Sequence, residues 1–360
     1  MAYDLGTPEL DAAVRDLVAA SADGTDPDLI AEMIVTAIKL HRDGAPRGDL
    51  KLINTALKEM RYSTLVFRRH TEPKVTMYGS ARLGSDSPDY DIARRFAETM
   101  VQRHWGVITG AGPGIMEAGN LGAGPDNSYG VNIRLPFEAN ANAYVSAERT
   151  VNFKYFFTRK LGFVKESNAF ALFPGGFGTL DETFELLTLI QTGKSDLHPI
   201  VMMEAPGTGY WGGLLSFAND VLLTKGLISP QDLDLFSFTT DPVAAADEIC
   251  RFYANYHSQR YVDGRLVLRL RTAPDAETLE HINDEYSDIV VSGRIDAIDP
   301  TPAEIRDGDA LDLNRISFQF DRRHFGALRR LVDHLNETVI PPEAVDLPSP
   351  FSAEQADREW

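Results

Sequence analysis

The sequence predicts an α/β protein: a doubly wound parallel sheet, a helical segment before it and a small α+β module after it. Three observations carry this. From about residue 74, short apolar runs alternate with amphipathic stretches, the pattern of βαβ units. The runs are almost wholly apolar, as expected of strands covered by helices on both faces. Glycine-bearing turns follow three of them, at 79–82, 110–114 and 175–178, and such sheets bind ligands at the carboxyl ends of their strands.

Taken in order, residues 1–73 read as helical. Leu10, Val14, Leu17 and Val18 recur at helical spacing, as do Ile30, Met33, Ile34 and Ile38, then Ile53, Leu57 and Met60. Asp26-Pro27 and Gly44–Gly48 are the breaks, and the segment reads as a helical cap or oligomer arm. Residues 74–260 form the core. Its strands are expected at Val75–Tyr78, Gly106–Thr109, Tyr129–Ile133, Ala169–Phe173, Pro199–Met203 and Leu235–Phe238. Its helices are expected at Asp89–Arg103, Ile115–Gly122, Tyr155–Lys165, Leu180–Gln191, Gly212–Thr224 and Asp241–His257. Residues 261–340 form the module, with strands at Arg265–Arg271, Asp288–Ile295 and Ile316–Phe320 and helices at Asp275–Tyr286 and Phe325–Leu335. That order suggests an antiparallel sheet. Residues 341–360 hold four prolines and read as a tail.

At 360 residues the chain is long enough for a sizeable core. Its net charge of −18 argues against binding nucleic acid or an anionic membrane, which need clustered Lys and Arg. A small phosphorylated ligand needs only one local positive pocket. Cys250 is the single cysteine, so no intrachain disulfide forms. No stretch has the roughly 18 apolar residues of a membrane span, and no leader pattern is visible, so a cytoplasmic protein is expected. The eight histidines show no ligand-type spacing, so neither a metal nor a cofactor is expected.

The strongest signal is Pro174-Gly175-Gly176-Phe177-Gly178-Thr179-Leu180-Asp181-Glu182, between a strand and a helix. Glycines let backbone N–H groups approach an anion, and a helix N-terminus adds partial positive charge, so this is a phosphate cradle. Glu182 is placed on the first turn of the following helix, where the dipole favours the ionised carboxylate. A fixed anion there suits an oxocarbenium-like transition state or activation of a water. Gly110-Ala111-Gly112-Pro113-Gly114 and Gly79-Ser80-Ala81-Arg82 point at the same ligand. Neither is a dinucleotide fingerprint or a Walker loop. Gly193-Lys194-Ser195 ends a helix rather than opening one, and His198 reads as structural.

Together with Arg159-Lys160 and Gly112-Pro-Gly-Ile-Met-Glu-Ala118, the cradle closely resembles the "Lonely guy" (LOG) family, whose P-G-G-x-G-T-x-x-E motif this chain matches at every fixed position. The resemblance spans roughly residues 74–258. It implies a Rossmann-like fold, a homo-oligomer with the site close to the dimer interface, and hydrolysis of nucleoside 5′-monophosphates to free base and ribose 5-phosphate, AMP or N6-modified AMP foremost. It implies Arg159 and Glu182 as the catalytic pair, with Lys160 accompanying Arg159. Gly175, Gly176, Phe177, Gly178 and Thr179 would hold the phosphate with Ser80. Gly112, Glu117, Glu138 and Thr188 would be further substrate contacts. The family has also carried a lysine-decarboxylase label, but no lysine here is set to bind pyridoxal phosphate. The alternative is a nucleotide-binding or carrier protein without turnover. The module is either structural or an effector-binding regulator.

Overall fold

The computed structural model describes residues 3–21, 26–134, 141–337 and 339–348, and the chain divides by contact into two units, 1–61 and 62–360. The first unit holds α1 (Pro8–Ser21), α2 (Pro27–Arg42) and most of α3 (Arg47–Phe67), which runs across the division. Leu5, Val14 and Val35 form its small core, with Ala31, Ile34 and Ile38 packed against them. Asp11 accepts the Leu5 N–H at 2.8 Å, and Arg42 donates to the Leu5 carbonyl at 2.8 Å, which fastens the chain before α1.

In the second unit the core elements run β1 (Lys74–Tyr78), α4 (Pro88–Gln102), β2 (Gly106–Thr109), α5 (Ile115–Ala123), β3 (Ser128–Ile133), β4 (Thr150–Phe153), α6 (Phe156–Lys165), β5 (Ala169–Leu172), α7 (Phe177–Gln191), β6 (Ile200–Met203), α8 (Tyr210–Phe217), β7 (Ser237–Thr239) and α9 (Pro242–Phe252). The seven strands form one parallel sheet in the order β4-β3-β2-β1-β5-β6-β7. The winding reverses between β1 and β5, which pair from Val75–Ala169 to Tyr78–Leu172. Those strands, with β2 and β6, are buried along their whole length, which explains their unbroken apolar sequence.

The remaining elements are β8 (Tyr256–Val262), β9 (Arg265–Leu270), α10 (Ala276–Glu285), β10 (Asp296–Ile298), α11 (Pro302–Asp307), β11 (Asn314–Phe318) and α12 (Phe325–Asn336). Their four strands form an antiparallel sheet in the order β10-β11-β9-β8.

Several expectations change. The β4 strand lies in a stretch where no strand was expected; Thr-Val-Asn-Phe is too short for its periodicity to show. The helix expected to run to His257 ends at Phe252, and the chain turns into β8, paired with β9 across a tight turn at Asp263-Gly264. The expected helix Gly212–Thr224 starts earlier, at Tyr210, and passes into a wide π-type turn at Ala218–Leu223. The run Leu235–Phe238 is split between a 3₁₀ turn, Pro230–Leu235, and β7. Asp288–Ile295 is not a strand: Ser287–Ile289 is a 3₁₀ turn, Val290 makes an isolated bridge to Phe320, and the strand starts at Asp296. The short helix α11 was unexpected, although Thr301 and Glu304 form a capping box around Pro302.

Candidate active site

Three loops meet where the sheet reverses. The Ser80 N–H, after β1, donates to the Pro174 carbonyl at 3.0 Å, after β5. The Ser80 carbonyl accepts the Ile115 N–H at 3.0 Å, at the start of α5. Glycine is obligatory at two of these crossings. Gly114 has φ +70°, and a Cβ there would stand 2.3 Å from the Ser80 carbonyl oxygen. A Cβ on Gly79 would stand 2.5 Å from the Ile115 side chain.

The cradle is the N-terminus of α7. Its first intrahelical bond runs from the Leu180 N–H to the Gly176 carbonyl, so the N–H groups of Phe177, Gly178 and Thr179 precede the ladder. Nothing lies within 4 Å of where a Cβ would stand on Gly176 or Gly178, and Phe177 is 93% exposed, so the helix end is open. Gly175 serves differently: a Cβ there would sit 2.1 Å from Thr179 Oγ1, and its absence lets the buried Thr179 fold beneath the turn. The Gly175 carbonyl accepts the Tyr210 hydroxyl at 2.8 Å. Tyr210 is itself fixed, because buried Glu204 accepts the backbone N–H groups of Tyr210 at 2.5 Å and Trp211 at 3.1 Å. Sequence reading missed this clamp, since the only signal, a glutamate shortly before a Gly-Tyr-Trp helix start, is common.

Arg159 and Glu182 come together beside the cradle. Arg159, on α6, donates through Nε to the Val131 carbonyl at 2.9 Å and lies 5.0 Å over the Phe163 ring. Its Nη1 lies 3.4 Å from Glu182 Oε1. Gly110 makes room, because a Cβ there would stand 2.4 Å from Arg159 Nη2. Both side chains are largely buried, at 10% and 14% exposure.

Glu182 corrects the sequence reading twice. The helix starts at Phe177, not Leu180, so Glu182 falls in the second turn rather than the first. Its carboxyl is not held ionised by the helix end. Burial pushes its pKa up to about 7, against the opposing pull of Arg159. A carboxyl poised there exchanges protons near neutral pH. Tyr78, at the end of β1, has its hydroxyl pushed well up by burial and then by Glu182. Lys160 faces the acids of α7, 2.8 Å from Asp181 and 3.3 Å from Glu185; these partners raise its pKa despite desolvation. It fastens α6 to α7.

The other expected residues are distributed. Ser80 Oγ accepts the Arg82 N–H at 3.1 Å and shapes its own loop. The Gly112 carbonyl accepts Asn142 Nδ2 at 3.0 Å, and the same amide reaches Asn120 Oδ1 at 2.9 Å, so Asn142 staples the second loop. Glu117 accepts the Tyr90 hydroxyl at 3.1 Å and binds α5 to α4; burial and then this bond push the phenol up to about 12. Thr188 lines a cavity of about 150 Å³ with Phe184, Leu187 and Leu214. Glu138 lies outside the described residues. Gly193, at φ +69°, ends α7 as read from sequence, and buried His198 is 3.3 Å from the Tyr253 hydroxyl.

The fold and site thus define a doubly wound α/β protein with an open helix N-terminus and a buried Arg–Glu pair at its switch point. A family model described as "Possible lysine decarboxylase" matches residues 111–249. The chain is 42% identical over 72 residues to the cytokinin riboside 5′-monophosphate phosphoribohydrolases LOG1 and LOG3 of Arabidopsis thaliana, a stretch that is 20% of this chain and 32% of each relative. Over this stretch the core is similar to members of the LOG family. The chain thus spans about a third of the length of the curated relatives it matches. Among solved structures, the molybdenum cofactor carrier protein of Chlamydomonas reinhardtii aligns at 15% identity and TM-score 0.35, over 49% of this chain and 94% of that one.

Proposed function

We propose that the core hydrolyses the N-glycosidic bond of a nucleoside 5′-monophosphate, AMP or an N6-modified AMP foremost, to free base and ribose 5-phosphate. One observation carries the reading: a buried carboxylate with its pKa near 7, beside an arginine, set back from an open helix N-terminus. Glu182 stands five residues beyond Phe177, about 7.5 Å along the axis. That span is comparable with the reach from a phosphate's amide contacts to the anomeric carbon of its ribose. The Arabidopsis relatives are cytokinin riboside 5′-monophosphate phosphoribohydrolases, which agrees with this reading.

In this scheme the N–H groups of Phe177, Gly178 and Thr179, with Ser80, bind the phosphate. Arg159 positions the Glu182 carboxylate and faces the ribose phosphate. The bond from C1′ to the base nitrogen breaks, and the base departs with its electron pair and takes up a proton. Glu182 stabilises the positive charge growing at C1′ and accepts the proton of the water that attacks there.

Glu182→Gln tests the scheme, because it removes charge and keeps shape. Base release should fall by about 10²–10⁴-fold while AMP binding in a thermal-shift assay stays within a few-fold. Turnover within a few-fold of the parent would remove Glu182 from the chemistry.

A further inference from the structure

The module holds a cluster that the hydrolysis does not use. α10 presents His281 and Glu285 one turn apart, and α12 brings His334 against them. His281 Nε2 lies 3.2 Å, and His334 Nδ1 3.5 Å, from the same oxygen, Glu285 Oε2. The two imidazole centroids are 5.0 Å apart, and the three ligand atoms all lie within 4.8 Å of one another. Around a tetrahedral zinc ion with bonds of about 2.0–2.1 Å, neighbouring donor atoms stand about 3.3 Å apart. Two edges of this triangle already have that length.

We propose that His281, Glu285 and His334 form a binding site for a divalent cation of the zinc class, with solvent completing the coordination. Two imidazoles and one carboxylate suit zinc, cobalt or nickel; calcium and magnesium prefer oxygen donors throughout. His281 is 60% and Glu285 48% exposed, so the open side faces water. The two cations that precede His334 on α12 are already engaged: Arg330 lies 3.0 Å from Asp234, and Arg329 lies 2.8 Å from Glu248 and 2.9 Å from Asp333. Sequence spacing hides the site, because only His281 and Glu285 are neighbours on one helix and His334 arrives through the fold.

The site has a structural consequence. Arg329 and Arg330 tie α12 to Glu248 and Asp234 of the core, and the Phe325 ring fills the space beside Gly193 at the end of α7. A cation would clip α10 onto this helix. Binding to the folded state alone stabilises it by mass action.

The test uses the full chain without a histidine tag, stripped with chelator. Zinc is titrated by calorimetry, and cobalt is followed by its visible absorption. We expect one equivalent of zinc bound at neutral pH, a tetrahedral cobalt spectrum, and a higher melting temperature with zinc. His281→Ala and His334→Ala should abolish all three, and Glu285→Gln should weaken binding more than about 100-fold, beyond what loss of an outer partner costs. An absence of saturable binding, or binding unchanged in His281→Ala and His334→Ala, would overturn the assignment. In either case the three side chains would be a hydrogen-bonded trio around one carboxylate.

Discussion

Glu182, largely buried, and Glu304, fully buried, are glutamates on helices, and their surroundings push them in opposite directions. Around Glu182 desolvation dominates, and its single guanidinium partner at 3.4 Å is too distant to cancel it. Around Glu304 desolvation is outweighed: Thr301 donates to it, as do Arg269 at 2.8 Å and Arg315 at 3.1 Å, and its pKa drops to about 2. The proposed reaction needs Glu182 ionised. Its kcat/KM should therefore rise with pH through about 7 and level off above, and Glu182→Gln should lose that limb. Glu304 has a folded pKa below its unfolded value. The stability it contributes is present above about pH 4.5 and is lost as pH falls toward 2. Glu304→Ala removes the carboxylate between two buried guanidiniums and should cost about 3–5 kcal/mol in denaturant unfolding.

At the scale of elements, the site depends on how α7 begins. Tyr210 holds the turn before it through one hydroxyl. Tyr210→Phe deletes that hydrogen bond and should raise KM for the monophosphate by roughly fivefold, since about 1 kcal/mol is lost, while kcat changes little. Gly114→Ala should be more severe. It sets a Cβ against the Ser80 carbonyl at a strained φ, and should destabilise the fold by at least about 2 kcal/mol in thermal unfolding. These elements also show what the sequence could reveal. The buried strands and the cradle were legible because their determinants are local: an apolar run, then glycines, then a helix. Glu182 was placed a turn too early because Phe177 and Gly178 look like loop residues, yet the helix begins there. The Arg159–Glu182 contact, the Tyr210 clamp and the Asn142 staple join residues far apart in sequence. The first two residues of β8 were read as helix because they continue the apolar spacing of α9 through Tyr253 and Tyr256. α11 was legible in Thr301-Pro302-Ala303-Glu304 and was overlooked.

At the scale of the molecule, the order of the sheet places the site. Because the chain winds outward from β1 to β4 and returns beside β1 as β5, the loops after β1 and β5 become neighbours, and the start of α5 bonds to the loop after β1. No contact within one loop would assemble this arrangement. The proposed homo-oligomer belongs to the same scale. Phe156, Phe157 and Leu161 on α6, the helix that carries Arg159, are each 44–55% exposed, a surface suited to a second copy. Sedimentation should find a dimer or larger species, and Phe157→Asp with Leu161→Asp should shift it toward monomer. The most direct test of the proposed chemistry is to incubate the purified chain separately with AMP, GMP, CMP, UMP and N6-isopentenyl AMP, and to resolve the products by chromatography. The account predicts free base and ribose 5-phosphate in equal amounts from AMP or its N6-modified form. AMP that binds, as thermal shift would show, but is never cleaved, with no base released from any of the five, would contradict it and make the core a nucleotide-binding protein.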